Sequence, residues 1–377
     1  MSAPVVPDTC LELRSTLTED GVVTLGLRET AVPEPADDQV VVRIEAAPVN
    51  PSDLGLLFAG ADLSGATAAG SDELPAVSVS TSTAGQAGRL GRPMPAGNEG
   101  GGVVVAAGSS PAARALLGRT VGFLSGNAYA QYRTLHVSQC LPMAEGTDPV
   151  DAAAAFVNPL TALGMVETMR LEGHRALVHT VGASNLGLML NRICLDEGVG
   201  LVNVVRRPEH VALLRGLGAA HVVDSSADTF VDDLTVALRA TGATIAFDAI
   251  GGGDLAGTLL STMEKVASEQ AGEFNRYGSD THKQVYIYGG LDRSPTVLRR
   301  DFGMSWGVGG WLLMPFLQRV GQEAADRLRQ RVADEITTTF ASSYGLRLSL
   351  RDAVDPGTVR RYGRMATGDK ALITPNA

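Results

Sequence analysis

The residues with the clearest chemical meaning form a glycine turn, GASNLG, at Gly182–Gly187. The apolar run ALVHTV (176–181) before it predicts a buried strand, and LGLMLNRICLDEG (186–198) predicts a helix. A pyrophosphate binds at such a place because backbone N–H groups at a helix start face it and small side chains leave room. Gly182 is predicted to make the tight turn and Gly187 to let the helix pack closely. The predicted dinucleotide-binding residues are Gly182, Ala183, Ser184, Asn185, Leu186 and Gly187.

The spacing GxGxxG is absent, so a strand–helix turn without a ligand is the alternative at this point. The end of the next predicted strand, LVNVV (201–205), favours a ligand. Proteins that bind NAD usually carry an acid there for the ribose 2′-hydroxyl, whereas an arginine accommodates the 2′-phosphate of NADP. Here Arg206 and Arg207 follow the strand, and the first acid is Glu209. We therefore predict NADPH, with Arg206 the better candidate, against the alternative of two solvated arginines.

The elements that position this turn alternate along the second half of the chain. Strand patterns recur at 176–181, 201–205, 221–224, 244–252 and 284–290, with helix patterns between the first four. Such alternation predicts right-handed βαβ crossovers and a doubly wound parallel sheet. The first 155 residues are β-rich by pattern, except for an Ala-, Gly-, Ser- and Thr-rich stretch at 60–95. We expect a long surface loop there, with a substrate lid as the alternative.

The bulk composition excludes several classes of function. The 377 residues are enough for two domains, and the net charge of −10 argues against nucleic-acid binding. The three cysteines form no disulfide or metal-binding spacing, which favours a reducing cytoplasm. The N-terminus lacks a signal-peptide pattern, and no run of about 18 apolar residues predicts a membrane span.

Several motifs together resemble the medium-chain dehydrogenase/reductase superfamily over most of the chain. They are PVNPSDL (48–54), PAGNEGGGVVVAAGS (95–109), FVNPLTAL (156–163), ALVHTVGASNLGL (176–188), LGAAHVVDSS (217–226), FDAIGGG (247–253) and TGDKALI (367–373). The resemblance implies an α/β protein in which a Rossmann domain with a doubly wound parallel sheet is inserted into a β-rich GroES-like catalytic domain. The implied limits are 1–155 plus 318–377 for the GroES-like domain and 156–317 for the Rossmann domain.

The resemblance also locates the positions where zinc-dependent members bind their metal. These positions look like Asn50–Asp53, Asn98–Glu99 and Asn158–Thr161, and none carries Cys or His. Zinc prefers thiolate and imidazole, so we predict no metal. The zinc-free branches include quinone oxidoreductases and enoyl thioester reductases. By resemblance the catalytic polar groups are Asn50, Asp53, Asn158 and Thr161, and the further cofactor-binding residues are Thr161, Tyr288, Gly289 and Lys370. A purely structural turn is the alternative for Asn50 and Asp53.

The chain departs from the enoyl reductases at one position. Their catalytic tyrosine follows the NPxD motif closely, whereas the first tyrosine here is Tyr129. We therefore expect an NADPH-dependent reductase of α,β-unsaturated carbonyl compounds or quinones. The alternatives are an enoyl-thioester reductase with another proton donor and a non-catalytic NADPH-binding protein. The apolar segment Trp306–Trp311 corresponds to a strand that pairs across a two-fold axis in the family, which implies a homodimer. A core strand of a monomer is the alternative.

Overall fold

The computed structural model describes residues 6–272, 274–366 and 368–377. The chain folds into two compact units. One contains the residues before Asn158 together with Arg329–Ala377, and the other is Asn158–Leu328. The predicted domain limits at 155/156 and 317/318 stay a proposal. The predictions for residues 1–5 and for Thr367, where the motif TGDKALI begins, lie outside the described residues.

The strands are given in chain order: β1 (Thr9–Leu17), β2 (Val22–Ala31), β3 (Gln39–Pro48), β4 (Thr67–Gly70), β5 (Pro75–Ser80), β6 (Met94–Pro95), β7 (Glu99–Ala107), β8 (Thr120–Leu124), β9 (Tyr132–His136), β10 (Cys140–Pro142), β11 (Ala176–Thr180), β12 (Gly200–Val205), β13 (His221–Asp224), β14 (Ile245–Asp248), β15 (Gly251–Gly253), β16 (Lys283–Ile287), β17 (Asp292–Thr296), β18 (Trp306–Gly310), β19 (Leu346–Leu348) and β20 (Ala371–Ile373).

The α-helices follow the same order: α1 (Pro51–Phe58), α2 (Pro111–Leu116), α3 (Pro149–Ala152), α4 (Val157–Leu171), α5 (Asn185–Asp196), α6 (Pro208–Gly216), α7 (Phe230–Thr241), α8 (Leu255–Ala271), α9 (Leu313–Val320), α10 (Gln322–Asp334) and α11 (Pro356–Tyr362). Within the part of the chain that the structure describes, none of these helices has the length and apolar character needed to cross a membrane.

The unit that contains both chain ends is built on sheets that are antiparallel except for the parallel pair of β19 and β20. One sheet has the order β4-β5-β2-β1-β6, and in another β3 pairs with β7, β9 and β20. The strand near the chain's end therefore joins a sheet built from its first third. The apolar faces of these sheets share one core, which includes Leu25, Ile44, Val104 and Phe123. Burial of these side chains provides the driving force for assembling this unit.

The prediction of a long surface loop at 60–95 was wrong. Within this segment β4 and β5 form an antiparallel hairpin, with Thr67 opposite Ser78, and β5 also pairs with β2. The sequence of β5, PAVSVS, alternates apolar and polar residues, which buries Val77 and Val79. The strand pattern was overlooked because its neighbours are mostly Ala, Gly, Ser and Thr, which carry little apolar signal.

The second unit is built on a six-stranded parallel sheet of order β13-β12-β11-β14-β16-β18. The order runs outward in both directions from β11 and β14, so it reverses between these two strands. Val178, Val204 and Val285 lie on one face and share a core with residues of α7 and α8. The mixed α/β class and the doubly wound parallel sheet are thus confirmed. In such sheets ligands bind beyond the carboxyl ends of the strands near the reversal.

The apolar segment Trp306–Trp311 contains the edge strand of this sheet. β18 pairs in parallel with β16 and ends the strand order, so its other edge has no partner strand among the described residues. Beyond it, Leu312 and Met314 are exposed. An unpaired edge beside exposed apolar side chains is a surface that proteins usually cover.

Candidate functional site

The glycine turn lies between β11 and α5, at the carboxyl edge of the parallel sheet. Ser184 is the N-cap residue of α5, and its hydroxyl accepts a hydrogen bond from the Gly187 N–H at 3.1 Å. Gly187 lies so close to the turn that a Cβ atom would be 2.3 Å from the carbonyl oxygen of Gly182. The helix start therefore approaches the strand end as predicted, and the space at position 187 admits no side chain.

Gly182 lies in the tight turn, as predicted: the Ser184 N–H donates to the Val181 carbonyl oxygen at 2.9 Å, across Gly182 and Ala183. Val181 has a φ of 62°, in the left-handed region that β-branched residues rarely adopt. Gly182 is not in that region, but a Cβ atom there would lie 2.8 Å from Oδ1 of Asn203 in β12. Gly182 is therefore required by the space beside the neighbouring strand. The strained residue immediately precedes the predicted phosphate-binding residues, which is where such strain is commonly found.

A hydrogen-bonded clamp joins the ends of β11 and β14, where the strand order reverses. Thr180 Oγ1 donates to Asp248 Oδ1 at 2.9 Å and accepts from the Ala249 N–H at 2.8 Å. The same carboxylate accepts from the N–H groups of Ile250 and Gly251 at 2.9 and 3.0 Å. The motif FDAIGGG stands out in the sequence, but these roles of Asp248 were not predicted from it. An acid directly after an apolar strand and before a glycine run was the available signal.

Tyr288 and Gly289 follow β16 at this same edge. The Tyr288 hydroxyl lies 2.8 Å from Nε2 of His179, and the two rings stack with centroids 5.8 Å apart. Burial lowers the pKa of His179 to about 3, so the imidazole is neutral. A Cβ atom on Gly289 would lie 2.7 Å from the Ala249 carbonyl oxygen. The chain after β16 is thus held closely against the chain after β14.

The two predicted phosphate-binding arginines are exposed at the end of β12. Arg207 is the N-cap residue of α6, and its guanidinium lies 3.7 Å from the Glu209 carboxylate. The Arg206 guanidinium has no hydrogen bond or ion pair with any residue that the structure describes. A guanidinium with all its donors available suits an anion such as a 2′-phosphate. Arg206 therefore remains the better candidate of the two.

The structure divides the predicted catalytic residues between the two units. Asn158 and Thr161 lie in the first turns of α4, in the second unit, and both are buried. Asn50 and Asp53 lie at the start of α1, in the unit that contains both chain ends.

Asn50 and Asp53 fix the backbone around them. Asp53 accepts hydrogen bonds from the N–H groups of Asn50 and Asn98, at 2.8 and 2.9 Å. The Asn50 side-chain amide donates to Glu99 Oε1 at 2.8 Å. These contacts support the alternative of a structural turn, and they leave the catalytic assignment as a proposal. Glu99 was missed as a site residue, although its motif had been singled out.

These residues belong to a polar cluster, defined as the buried residues Asn50, Asp53, Glu99 and Tyr129 and the half-buried Lys370, whose Nζ atom is buried. Burial raises the pKa of Asp53 to about 7, against the effect of its two N–H donors. Burial also raises the pKa of Glu99, which the nearby Lys370 opposes. Burial lowers the pKa of Lys370 to about 8, with Glu99 and Asp53 acting against that shift. The cluster therefore contains groups whose charge changes near neutral pH.

The side chains at these positions are poor ligands for zinc. No group of three or more His, Cys, Asp or Glu side chains among the described residues is placed to hold a metal ion. Asn50, Asn98 and Asn158 stand at the positions where the resemblance places metal ligands. Carboxamides bind zinc weakly compared with thiolate or imidazole. The residues present do not fit a zinc ion.

A doubly wound parallel sheet with a glycine turn at its strand-order reversal is the architecture of the Rossmann fold. No model of a known protein family matches the chain. Among solved structures, it is similar to a Mesorhizobium loti protein assigned as an NADPH:quinone reductase, with a TM-score of 0.73 and 26% identity, over 99% of this chain and 100% of that chain.

Curated relatives match a smaller part of the chain. It is 29% identical over 255 residues to the synaptic vesicle membrane protein VAT-1 homolog of Rattus norvegicus, covering 65% of this chain and 55% of that protein. It is 28% identical over 205 residues to the mitochondrial enoyl-acyl-carrier-protein reductase of Xenopus tropicalis, covering 53% of this chain and 51% of that protein. The chain thus spans about half the length of the curated relatives it matches. In fold and in part of its sequence the chain is thus similar to proteins of the medium-chain dehydrogenase/reductase superfamily.

Proposed function

We propose that this chain is an NADPH-dependent oxidoreductase that reduces an activated C=C double bond or a quinone without zinc. The observation that carries the proposal is the exposed Arg206 guanidinium at the carboxyl end of β12, where no acid stands to repel a 2′-phosphate. Nearby, α5 begins directly after the glycine turn, and the backbone N–H groups at a helix start suit a pyrophosphate. The similarity to a protein assigned as an NADPH:quinone reductase supports the same cofactor.

The proposed cofactor-binding residues are those predicted from the sequence: Thr161, Gly182, Ala183, Ser184, Asn185, Leu186, Gly187, Arg206, Arg207, Tyr288, Gly289 and Lys370. Bound NADPH supplies a hydride from C4 of its nicotinamide ring. The protein's part is to hold the cofactor and substrate and to stabilise the charge that develops on the substrate oxygen. Asn50, Asp53, Asn158 and Thr161 are the polar groups proposed for that task.

An enoyl-thioester reductase is the second candidate, which the similarity to the Xenopus tropicalis enoyl reductase favours. The first tyrosine of the chain, Tyr129, is fully buried and donates a hydrogen bond to the Pro48 carbonyl oxygen at 3.1 Å. It is therefore not a ready proton donor. A non-catalytic NADPH-binding protein is the third candidate.

The test is NADPH oxidation, followed by absorbance, with quinones, enones and enoyl thioesters. Turnover of quinones or simple enones supports the first candidate, and turnover confined to enoyl thioesters supports the second. Binding of NADPH without turnover of any of them favours the third.

Substitution of Arg206 tests the cofactor assignment separately. Arg206→Ala is expected to weaken NADPH far more than NADH, because only NADPH carries the 2′-phosphate. Arg215→Ala, an exposed arginine in the last turn of α6, is the matched control and should affect neither. Equal weakening of both cofactors by Arg206→Ala would exclude the 2′-phosphate contact.

We also propose a homodimer formed through the open edge of β18 and a cytoplasmic location. The unpaired edge and the exposed Leu312 and Met314 support the first proposal. The free cysteines Cys10, Cys140 and Cys194 fit a reducing compartment. Sedimentation at twice the mass of the chain is expected, and Gly310→Pro in β18 should shift the protein to monomer. Monomeric sedimentation of the unaltered chain would contradict the dimer.

A further inference from the structure

Lys370 and Asn50 lie just beyond one end of the β3–β20 ladder. In that antiparallel ladder Leu372 lies opposite Pro48. The same register, continued beyond the strand ends, places Lys370 opposite Asn50. Residues directly opposite each other in such a ladder have Cβ atoms about 5 Å apart. Both side chains also act on Glu99, Asn50 through a hydrogen bond of 2.8 Å and Lys370 electrostatically, so they share one region of the unit that contains both chain ends.

Each of these side chains has a buried polar atom without a hydrogen-bond partner. Among the described residues, neither Nζ of Lys370 nor Oδ1 of Asn50 has a partner. An ammonium group can donate three hydrogen bonds, and an amide oxygen can accept them. Unpartnered buried polar atoms are rare because each costs free energy that a ligand or water can restore. This pair therefore has hydrogen-bonding capacity for a polar group from outside the chain.

The surroundings stabilise the charge of Lys370 without using its donors. Two buried carboxylates act on it electrostatically, those of Glu99 and Asp53. The Glu99 oxygens accept from the Asn50 amide at 2.8 Å and from two backbone N–H groups at 2.9 and 2.8 Å. Both Asp53 oxygens also accept backbone N–H groups. The Tyr344 ring lies beside the ammonium, with its centroid 5.6 Å from Nζ.

We propose that Lys370 is the catalytic electrophile: its ammonium donates a hydrogen bond to the carbonyl oxygen of an α,β-unsaturated carbonyl or quinone substrate. The proposal rests on the proposed function and names the group that polarises the substrate. The hydride that NADPH supplies on breaking its C4–H bond would form the new C–H bond at the β-carbon. The π electrons of the C=C bond then form the double bond between the α-carbon and the carbonyl carbon, and those of the C=O bond move onto the oxygen. The Lys370 ammonium stabilises the resulting enolate oxygen, and water then supplies a proton to the α-carbon. A fixed cation thereby does for the carbonyl what a metal ion does as a Lewis acid.

The kinetic test compares Lys370→Met with Lys370→Arg. Lys370→Met should lower kcat by about 100-fold or more, the usual effect of removing one donor to an oxyanion, and should change the Kd for NADPH far less than it changes kcat. Lys370→Arg keeps the charge and should recover part of kcat. In the unaltered protein kcat should fall as the pH rises through about 8, because the pKa of Lys370 lies there and the neutral amine is a weaker donor. Lys370→Arg should lack this decline.

An effect of Lys370→Met on the Kd for NADPH without an effect on kcat would overturn the proposal. If Lys370→Met weakens NADPH binding and leaves kcat unchanged, Lys370 is a cofactor ligand, as the family resemblance implies, and not an electrophile.

A second measurement needs no turnover, so it separates this proposal from the proposed function. The lysines of the chain are Lys265, Lys283 and Lys370. Lys265 is exposed and Lys283 is fully buried, so they are reactive and unreactive references for acetylation by acetic anhydride, read by peptide mass spectrometry.

Cyclohexanone, a saturated ketone, should protect Lys370 from acetylation and leave Lys265 unaffected. Protection in a protein that reduces no substrate would defeat the proposed function and keep Lys370 as a carbonyl-binding group. If Lys370 is as unreactive as Lys283, or if the ketone does not protect it, the proposal is wrong, because a site closed to a small reagent or ketone is closed to a substrate.

Discussion

At Gly187 the position of one atom decides whether the cofactor turn can form. Gly187→Ala would place a methyl group 2.3 Å from the Gly182 carbonyl oxygen, so α5 or the turn must move. We expect weaker NADPH binding and a loss of about 1–3 kcal/mol in the free energy of unfolding, which is the usual cost of overpacking. The measurements are fluorescence titration with NADPH and urea unfolding.

Gly216→Ala is the matched control for that substitution, because nothing lies within 4 Å of a Cβ atom at this position in α6. Alanine there should leave stability unchanged or raise it slightly, since it favours the helical backbone. Equal losses from the two substitutions would mean that the contact with the Gly182 carbonyl oxygen does not explain the effect of Gly187→Ala.

Asp53 gives a pH dependence with a definite sign. Its carboxyl group has a pKa of about 7 in the folded chain, against an ordinary value of 3.8. Between these pH values the folded chain keeps a proton that the unfolded chain has lost. The contribution to stability is therefore complete at low pH and is lost as the pH rises through about 7, by up to about 1.4 kcal/mol per pH unit.

Asp53→Asn keeps the shape of the side chain and removes its titration. Urea unfolding at pH 5 and pH 7.5 should show a smaller fall in the free energy of unfolding for this variant than for the unaltered chain. An equal fall in both proteins would place the proton on another group of the cluster.

At the scale of single elements, α8 carries one buried and one exposed ion pair. Glu264 pairs with Lys283, which is fully buried, and also accepts the N–H and hydroxyl of Ser279 at 2.7 and 2.8 Å. Glu264→Gln should cost about 3–5 kcal/mol of unfolding free energy, because it leaves the Lys283 charge buried without its counter-ion. The measurement is urea unfolding, with the exposed pair as reference.

That exposed pair is formed by Glu269 and Arg239, 2.6 Å apart. Glu269→Gln should leave the free energy of unfolding almost unchanged, because water already solvates both charges. The double variant Glu264→Leu with Lys283→Met should recover much of what Glu264→Gln loses. A large effect of Glu269→Gln on the free energy of unfolding would contradict the exposure of its pair with Arg239. A negligible effect of Glu264→Gln would contradict the burial of its pair with Lys283.

The elements of the parallel sheet could be predicted because their signal is local. Strands β11 to β16 and the helices between them repeat apolar patterns bounded by Gly and Pro, and the sheet follows from their alternation. The hairpin of β4 and β5 could not be predicted in the same way, since its inward face needs only small residues and two valines. A strand of short side chains has a weak periodic signal, whatever its burial.

The site was only partly predictable for a related reason. The glycine turn and Arg206 are local features, and their placement at one sheet edge follows from the strand order. The clamp between Thr180 and Asp248 joins residues 68 positions apart, and the contact between Asn50 and Glu99 spans 49. Nothing in the local pattern specifies such partners, because folding brings them together. The family resemblance supplied Lys370, whereas its unused hydrogen-bonding capacity could be seen only in the structure.

At the scale of the whole molecule, the two units differ in how the chain builds them. The unit Asn158–Leu328 is one continuous stretch, whereas the other needs both ends of the chain. The continuous stretch has its own core and contains the glycine turn and Arg206. A continuous unit with its own core can fold alone. We therefore expect a fragment of residues 158–328 to unfold cooperatively in urea and to bind 2′,5′-ADP, which carries the 2′-phosphate.

Arg206→Ala in this fragment should weaken 2′,5′-ADP and leave 5′-AMP unaffected, because only the first ligand has the phosphate that Arg206 is proposed to bind. The fragment should reduce no substrate, since it lacks Asn50, Asp53 and Lys370. A folded fragment that binds the two nucleotides equally would remove the support for NADPH from this end of β12. A fragment that does not fold would show that α4 to α9 depend on the rest of the chain for their stability, and the continuous stretch would then not be an independent folding unit.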